Sequence, residues 1–518
     1  MSIKRYTATA DNSITNAFEE NLTTRGTGSN AGAADILETF SIYAQQSTSS
    51  VELSRILIQF PVSEIITDRS SGIIPASGSV KFFLNLYNAP HSTTLPRDFK
   101  LTVNAVSGSW EEGYGLDLDN YTDLTYDKIG SNWIRRAGST SWSTAGGDIY
   151  TDSSSSFEQS FPIGTEDLSI DITKLVDQWI TGSAGGGKEN HGVLIKLSSS
   201  YEASSSSNPN GALNSYYTKK FFARGTEFFH ERPTLEARWE SSLKDQRGNF
   251  FFSSSLAPAA DNLNTIFLYN YVRGKLRDIP SVGTGRIYVS LFSGSEDNTA
   301  PSTIPLKLSR DGTHVGQNLL AATGSHHSTG IYKCSFAFTG SSDLETVYDV
   351  WYTGSHGPTS SAIDATVQFH TGTITPSTFL ASNINPNGKY VISMPNLKSS
   401  YSSQQTERFR LYVRNKNWSP NIFTKAKATP QTLIIESASY QVTRVIDQKI
   451  VIPYGTASSD NNYSMLSYDV SGNYFDLDLS MLEAGYTYGF QYSFYEDSVS
   501  SYREQPYLFK FRVEKDEY

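Results

Sequence analysis

Tyr486-Thr-Tyr-Gly-Phe-Gln-Tyr-Ser-Phe-Tyr495 is the stretch that decides the fold class. Tyr486, Tyr488, Phe490, Tyr492 and Phe494 recur at every second position with Thr, Gly, Gln and Ser between them. A period of two belongs to an extended strand that buries one face. The same kind of alternation returns at 53–60, 80–87, 192–197, 286–292, 409–413 and 507–513, each run bounded by Gly, Asn, Asp or Ser turns. Helical spacing is clear in one place only. In Asp171-Ile-Thr-Lys-Leu-Val-Asp-Gln-Trp-Ile180 the residues Ile172, Leu175, Val176, Trp179 and Ile180 fall at i, i+3, i+4, i+7 and i+8, with Asp171 able to cap the first turn and Gly182 to end the last. The expected fold is therefore all-β, a series of tandem β-sandwiches with one short helix near 171–180.

The chain has 518 residues, well past the roughly 250–300 at which a single core stops growing. No long disordered tract marks the linkers, so boundaries are set where one strand set closes. They fall after Arg232-Pro-Thr-Leu-Glu-Ala-Arg-Trp239 and near Met394-Pro395-Asn396. The expected domains are 1–240, 241–395 and 396–518, and no fixed-period repeat of the solenoid or propeller kind is visible. With 31 Tyr and 28 Phe, the cores lean on β-favouring aromatics.

Charge excludes one class of partner. The net charge is −10 and no Lys/Arg cluster is present, whereas nucleic-acid affinity rests on clustered cations neutralising phosphates. No stretch approaches the ~18 apolar residues of a membrane span, and the N-terminus lacks the apolar run of a signal peptide. The single cysteine, Cys334, shares a strand face with Tyr332 and Phe336. It reads as a small buried apolar residue, since one cysteine makes neither an internal disulfide nor a multi-cysteine zinc site.

Two groups of residues could carry binding chemistry. Trp110, Trp133 and Trp142 could form a flat platform for the C–H faces of sugar rings, or serve as core anchors and loop staples. Asp117, Asp119, Asp123 and Asp127 could gather oxygen ligands around calcium, although Lys128 stands where an EF-hand places its bidentate Glu. A solvated loop is the competing reading, and no cofactor is otherwise expected. Glu111 and Glu112 are adjacent, so a strand would point them to opposite faces and not at one another. His191, His230, His326 and His327 sit in no zinc or triad signature, and Gly182–Gly187 lacks the Lys-Ser/Thr ending of a phosphate loop. Catalysis is not expected.

The first 240 residues resemble the DNRLRE-type domain, a jelly-roll-like β-sandwich also classed among carbohydrate-binding modules. The resemblance lies in ordered landmarks: Asp11-Asn-Ser-Ile-Thr-Asn, Arg25-Gly-Thr-Gly-Ser-Asn, Ser54-Arg-Ile-Leu-Ile-Gln-Phe60 and Ser79-Val-Lys-Phe-Phe-Leu-Asn-Leu-Tyr87 come first. Trp110-Glu-Glu-Gly-Tyr-Gly, Gly130-Ser-Asn-Trp133, Trp142, Gly146-Gly147-Asp148, Asn190-His-Gly-Val-Leu-Ile-Lys-Leu, Phe221-Phe-Ala-Arg-Gly-Thr-Glu and Arg232-Pro-Thr-Leu follow. The insertion 117–128 and the replacement of the usual Ser-Arg-Glu by Ala223-Arg224-Gly225-Thr226-Glu227 depart from it. Beyond this domain, Phe475-Asp-Leu-Asp-Leu-Ser-Met-Leu-Glu-Ala-Gly-Tyr-Thr-Tyr-Gly-Phe490 has the form of an immunoglobulin-like strand, turn and strand.

Members of that family look like appendages of polysaccharide-active enzymes and also occur in phage structural proteins. The resemblance therefore implies a non-catalytic structural component of a bacteriophage virion. It would touch other virion proteins, form a homo-oligomer within the particle, and be assembled in the host cytoplasm. The alternative it implies is a carbohydrate-binding adhesin attaching to host surface glycans.

Overall fold

The computed structural model describes residues 2–48, 50–91, 95–116, 130–293, 305–314, 319–339, 344–354, 368–377, 389–419, 432–455, 462–496 and 499–515. Strands dominate it, as the alternation predicts. The chain divides into two compact units, one built on Ser2–Glu240 and the other on Ser241–Thr456 with Ser464–Tyr518.

In the first unit a four-stranded antiparallel sheet runs in the order Ile3–Thr7, Thr234–Arg238, Lys81–Leu86, Leu168–Asp171. Its first two strands are the opening and closing strands of the unit, so the unit's two ends are tied together by backbone hydrogen bonds. Leu84 lies opposite both Leu235 and Ile170, and Leu86 lies opposite Leu168. A larger sheet runs Tyr216–Phe222, Ile36–Tyr43, Val51–Gln59, Val193–Leu197, Phe99–Ala105, Ser156–Phe161, with Ala10–Thr15 also paired to Val51–Gln59. Both faces of its centre are buried. Ile56, Ile58, Val193 and Ile195 are on one face by register, Leu57 and Leu194 on the other, and all six are fully buried.

Several buried charges in this unit are held by fixed partners. Glu236 accepts from Arg5 at 2.7 Å and Arg238 at 2.5 Å. Burial by itself would raise its carboxyl, but the two guanidinium groups hold it below the usual carboxylate range. Lys219 is almost fully buried, and its ammonium donates to Asn88 Oδ1 and to the carbonyls of Gly164 and Glu166. Burial lowers its pKa to about 8.

The expected helix forms over Thr173–Thr181, burying Leu175, Val176 and Trp179. Asp171 Oδ1 accepts the Thr173 N–H at 2.8 Å, and Gly182 takes φ +67° where the helix ends. A second helix, Val62–Ser70, was not expected. It starts directly after Pro61, and its apolar stripe is too short to show a helical period. Ile66 is exposed, and the third buried position is Asp68, which accepts from Tyr6 Oη and Lys4 Nζ, both at 2.7 Å.

The second unit holds two sets of sheets, and the boundary expected near 395 lies inside this one compact unit, between the paired strands Tyr390–Ser393 and Tyr412–Asn415. The first set is an antiparallel sheet in the order Asn264–Tyr269, Ile331–Phe338, Ala322–Ser328, Ile287–Ser293, Val347–Tyr352, Gln368–Ile374. Its core gathers Phe250, Ile266, Val289, Leu291, Tyr332, Phe336 and Trp351. The second set faces a sheet containing Ala438–Arg444, Thr487–Glu496 and Phe509–Glu514 with a three-stranded sheet of Thr406–Arg410, Gly472–Asp478 and Ser467–Asp469. Between them the rings interlock: Phe409 stands 4.7 Å from Phe490 and 5.3 Å from Phe475, and Phe475 stacks on Tyr440 at 4.1 Å between centroids. Gly472–Asp478 crosses through the turn Leu479–Met481 to Thr487–Glu496 in the opposite sheet, and Tyr488 Oη donates to Glu483 O at 2.9 Å. That back-bond has the form of the tyrosine corner of immunoglobulin-like sandwiches.

The run 409–413 is interrupted at Leu411, so it makes two strands, Thr406–Arg410 and Tyr412–Asn415, that pair into different sheets. Cys334 is 1% exposed in the first set's core, and burial pushes its thiol well above the ordinary range. A maleimide or disulfide reagent at pH 8 should leave Cys334 unmodified in the folded protein and label it stoichiometrically in denaturant. Labelling at equal rates in both conditions would contradict its placement.

Candidate functional site

While Lys81–Leu86 and Thr234–Arg238 belong to the four-stranded sheet, the tryptophan landmarks of the first 240 residues come together on the Leu57–Leu194 face of the larger sheet. Trp110, Trp133 and Trp142 cluster there with Ile14, Leu57, Val106 and Leu194. They are 8%, 6% and 5% exposed. Trp110 Nε1 donates to His191 O at 2.8 Å and Trp142 Nε1 to Asn132 O at 2.9 Å, so both indole N–H groups are satisfied inside the fold. The Trp133 ring has the Arg55 guanidinium 5.0 Å from its centroid, and Arg55 in turn pairs with Glu202 at 3.0 Å and donates to Gly146 O. Gly146, at φ +88°, passes so close that an added Cβ would stand 2.8 Å from the indole.

Of the two roles weighed for these three tryptophans, their burial fits core anchors and loop staples and not an open sugar platform. Stacking needs an open ring face, and here the faces lie against Leu, Ile and Arg side chains. The strand register is the reason: Leu57 and Leu194 point outward from the sheet, and the tryptophans cover them.

A polar seam accompanies the cluster. Glu112 pairs with Arg224 through both oxygens at 2.9 and 2.8 Å and accepts the Asp11 N–H at 2.8 Å, while Asp11 Oδ2 accepts the Arg224 N–H at 2.5 Å. Asn12 donates to the carbonyl and hydroxyl of Ser131, and Asn30 Oδ1 accepts the Gly115 N–H. The divergent Ala223-Arg224-Gly225 segment thus supplies the arginine that ties the opening strand to the tryptophan motif.

Asp11 is 1% exposed, and burial raises its carboxyl to about 7, the Arg224 N–H offsetting only part of that. A carboxyl raised on folding contributes stability at low pH that is lost as pH climbs from about 4 to 7, amounting to about 4 kcal/mol for a shift of this size. Asp11→Asn keeps the acceptor and removes the titration. Thermal unfolding followed between pH 4 and 8 should show the wild type losing ground to the variant up to pH 7 and running parallel above it. Superimposable profiles would refute the assignment.

Asp117, Asp119, Asp123 and Asp127 lie outside the described residues. Among the described residues no group of three His, Cys, Asp or Glu side chains is arranged to hold a metal ion. Of the histidines, His326 stands 3.1 Å from Asp278, His191 stands 3.4 Å from Glu189, and His230 is buried.

Two cavities went unnoticed in the sequence. In the second unit, a half-open cavity of about 670 Å³ is lined by Ser393, Pro395, Leu411, Tyr412, Thr432 and Val470, with Arg410 on its wall already held by both oxygens of Asp469. In the first unit, a groove of about 490 Å³ runs past the start of Val51–Gln59. Phe18, Leu22, Ile42 and Tyr217 form its apolar walls and Glu19, Glu20, Gln45 and Ser215 line it too, with Glu52 among its lining residues. Tyr217 is 48% exposed and leans on Phe40 at 5.7 Å. Glu52 shares its strand face with Ser54, Ile56 and Ile58, all buried. A carboxylate in register with a core face was the available signal. Its partners, which come from residues 16–25 and 215–217, carried none.

No protein-family model matches the chain, and no curated protein matches it.

Proposed function

We propose that this chain is a non-catalytic structural component of a bacteriophage virion, acting through protein–protein contacts of its β-sandwiches. The observation that carries the reading is where the reactive side chains go. Glu112, Glu236, Asp349 and Glu202 each face a fixed guanidinium or ammonium, and the three candidate tryptophans are internal supports. Groups engaged in this way brace a scaffold, and a catalytic acid or base needs access to a substrate proton. The likeness of residues 1–240 to a domain found in phage structural proteins, and the immunoglobulin-like corner at Tyr488, support the same reading. On it, the partners are other virion proteins and further copies of this chain. The adhesin reading loses its support where the tryptophan faces are covered.

The test is mass spectrometry of purified particles together with electron microscopy using antibodies raised against residues 1–240. Stoichiometric signal at one position on the particle is expected. Absence of the chain from particles would overturn the proposal.

A further inference from the structure

Lys219 Nζ lies 2.5 Å from Asn88 Oδ1, across 131 residues of sequence. The Asn88 amide carbon sits one C=O bond, about 1.2 Å, behind that oxygen, which puts the nitrogen within about 3.7 Å of it. Lys219 belongs to Tyr216–Phe222 of the larger sheet, and Asn88 follows Lys81–Leu86 of the four-stranded one. A backbone bridge between Asn88 and Phe221 holds the two segments together.

The surroundings keep Nζ in place and dry. The carbonyls of Gly164 and Glu166 each accept from it at 2.9 Å, and the centroids of the fully buried Phe161 and Phe221 rings stand 5.3 and 4.8 Å away. Glu166 accepts the Ile163 and Gly164 N–H groups at 2.7 Å, which pins the turn that carries those carbonyls. Asp167 does the same for Asn88 by accepting its N–H at 2.7 Å. A second donor reaches the Asn88 side-chain oxygen: His91 Nε2 is 2.8 Å from it, a contact made by the Nε2–H tautomer. Burial lowers His91 to about 4, with Lys219 and Lys220 adding to the shift, so its imidazole is neutral. Burial lowers Lys219 to about 8 against the pull of Asp167 and Glu166. About a tenth of the molecules therefore carry the neutral, nucleophilic amine at pH 7.

We propose that Lys219 and Asn88 join in an isopeptide bond, a covalent cross-link that this unit forms by itself between its two sheets. Lys219 Nζ, as the free amine, attacks the Asn88 amide carbon, and the His91 N–H supports the charge that develops on Oδ1. One Nζ proton passes to the amide nitrogen, the bond from that nitrogen to the carbon breaks, and ammonia leaves. An Nζ–Cγ amide remains, and the reaction needs no oxidant or added reagent. Holding amine and amide in contact is equivalent to an effective concentration of about 10⁵ M or more, and the buried rings exclude the water that would compete. The inference goes beyond the virion role and does not depend on it.

The test is the intact mass of the full chain, denatured after the folded protein has stood at about pH 9, where the amine is mostly neutral. The expected mass is that of the sequence less one ammonia. Trypsin should then fail to cut after Lys219 and should release a branched peptide joining it to Asn88. Lys219→Arg and Asn88→Ala should each keep the full mass of their own sequences, and both should run slower than the wild type in a denaturing gel, because they lack the closed loop. A wild-type chain of full sequence mass would overturn the proposal, whether or not the variants fold. So would an ammonia loss that maps to a succinimide at Asn210-Gly211.

Discussion

Replacing Arg247 by methionine is expected to destabilise the second unit by about 3–5 kcal/mol, the cost of stranding a buried charge. Asp349 is fully buried in the strand Val347–Tyr352. One of its oxygens meets Arg247 at 2.6 Å and the other accepts from Trp351 Nε1 at 2.7 Å. The same guanidinium donates to Phe267 O. Arg247 itself sits in the turn Gln246–Asn249, which Asp245 caps. Tyr468 O accepts the Asp245 N–H, and Gln246 Oε1 accepts the Thr265 N–H. This short segment therefore hydrogen-bonds to both sheet sets, and Arg247 anchors it. Gly372 leaves the room, since a Cβ there would stand 2.3 Å from the guanidinium. Pairing Arg247→Met with Asp349→Leu should recover part of the loss, because an apolar pair of similar volume no longer buries a lone charge. Chemical denaturation of the three variants measures this, and a single-variant loss under about 1 kcal/mol would show that the pair is not desolvated as described.

Trp133→Ala should cost the first unit about 3–5 kcal/mol, as expected for removing a buried aromatic ring. The cavity would open between Arg55, Gly146 and the Leu57–Leu194 face, where the glycine backbone is already held close. A solvent-facing platform residue would behave otherwise, changing stability by no more than about 0.5 kcal/mol on truncation. Urea unfolding of the variant thus separates the two roles weighed for this residue, and a loss in the smaller range would restore the platform.

The strands were legible because alternation is a local property. At 486–494 every second residue is an aromatic on one face whatever the strand pairs with, and Tyr488, Phe490, Tyr492 and Phe494 all lie in the core. The helix Thr173–Thr181 was legible for the same reason. The helix Val62–Ser70 was not, because Asp68 occupies one of its three buried positions and only the distant Tyr6 and Lys4 make that position tenable.

Residue type and spacing by themselves determined the all-β class, the first helix, the burial of Cys334 and the closure of a unit by Arg232-Pro-Thr-Leu. The fate of each functional candidate was decided only in three dimensions. Whether Trp133 faces solvent or core depends on which side of the larger sheet the segment 130–149 covers. Asp11, Glu112 and Arg224 meet across separations of 101 to 213 residues. Glu52 becomes a groove residue only when Phe18 and Tyr217 are folded beside it. Alternation reports which way a side chain points along its own strand, while partners and solvent access follow from long-range register, in which a slip of one residue would exchange every buried group for an exposed one.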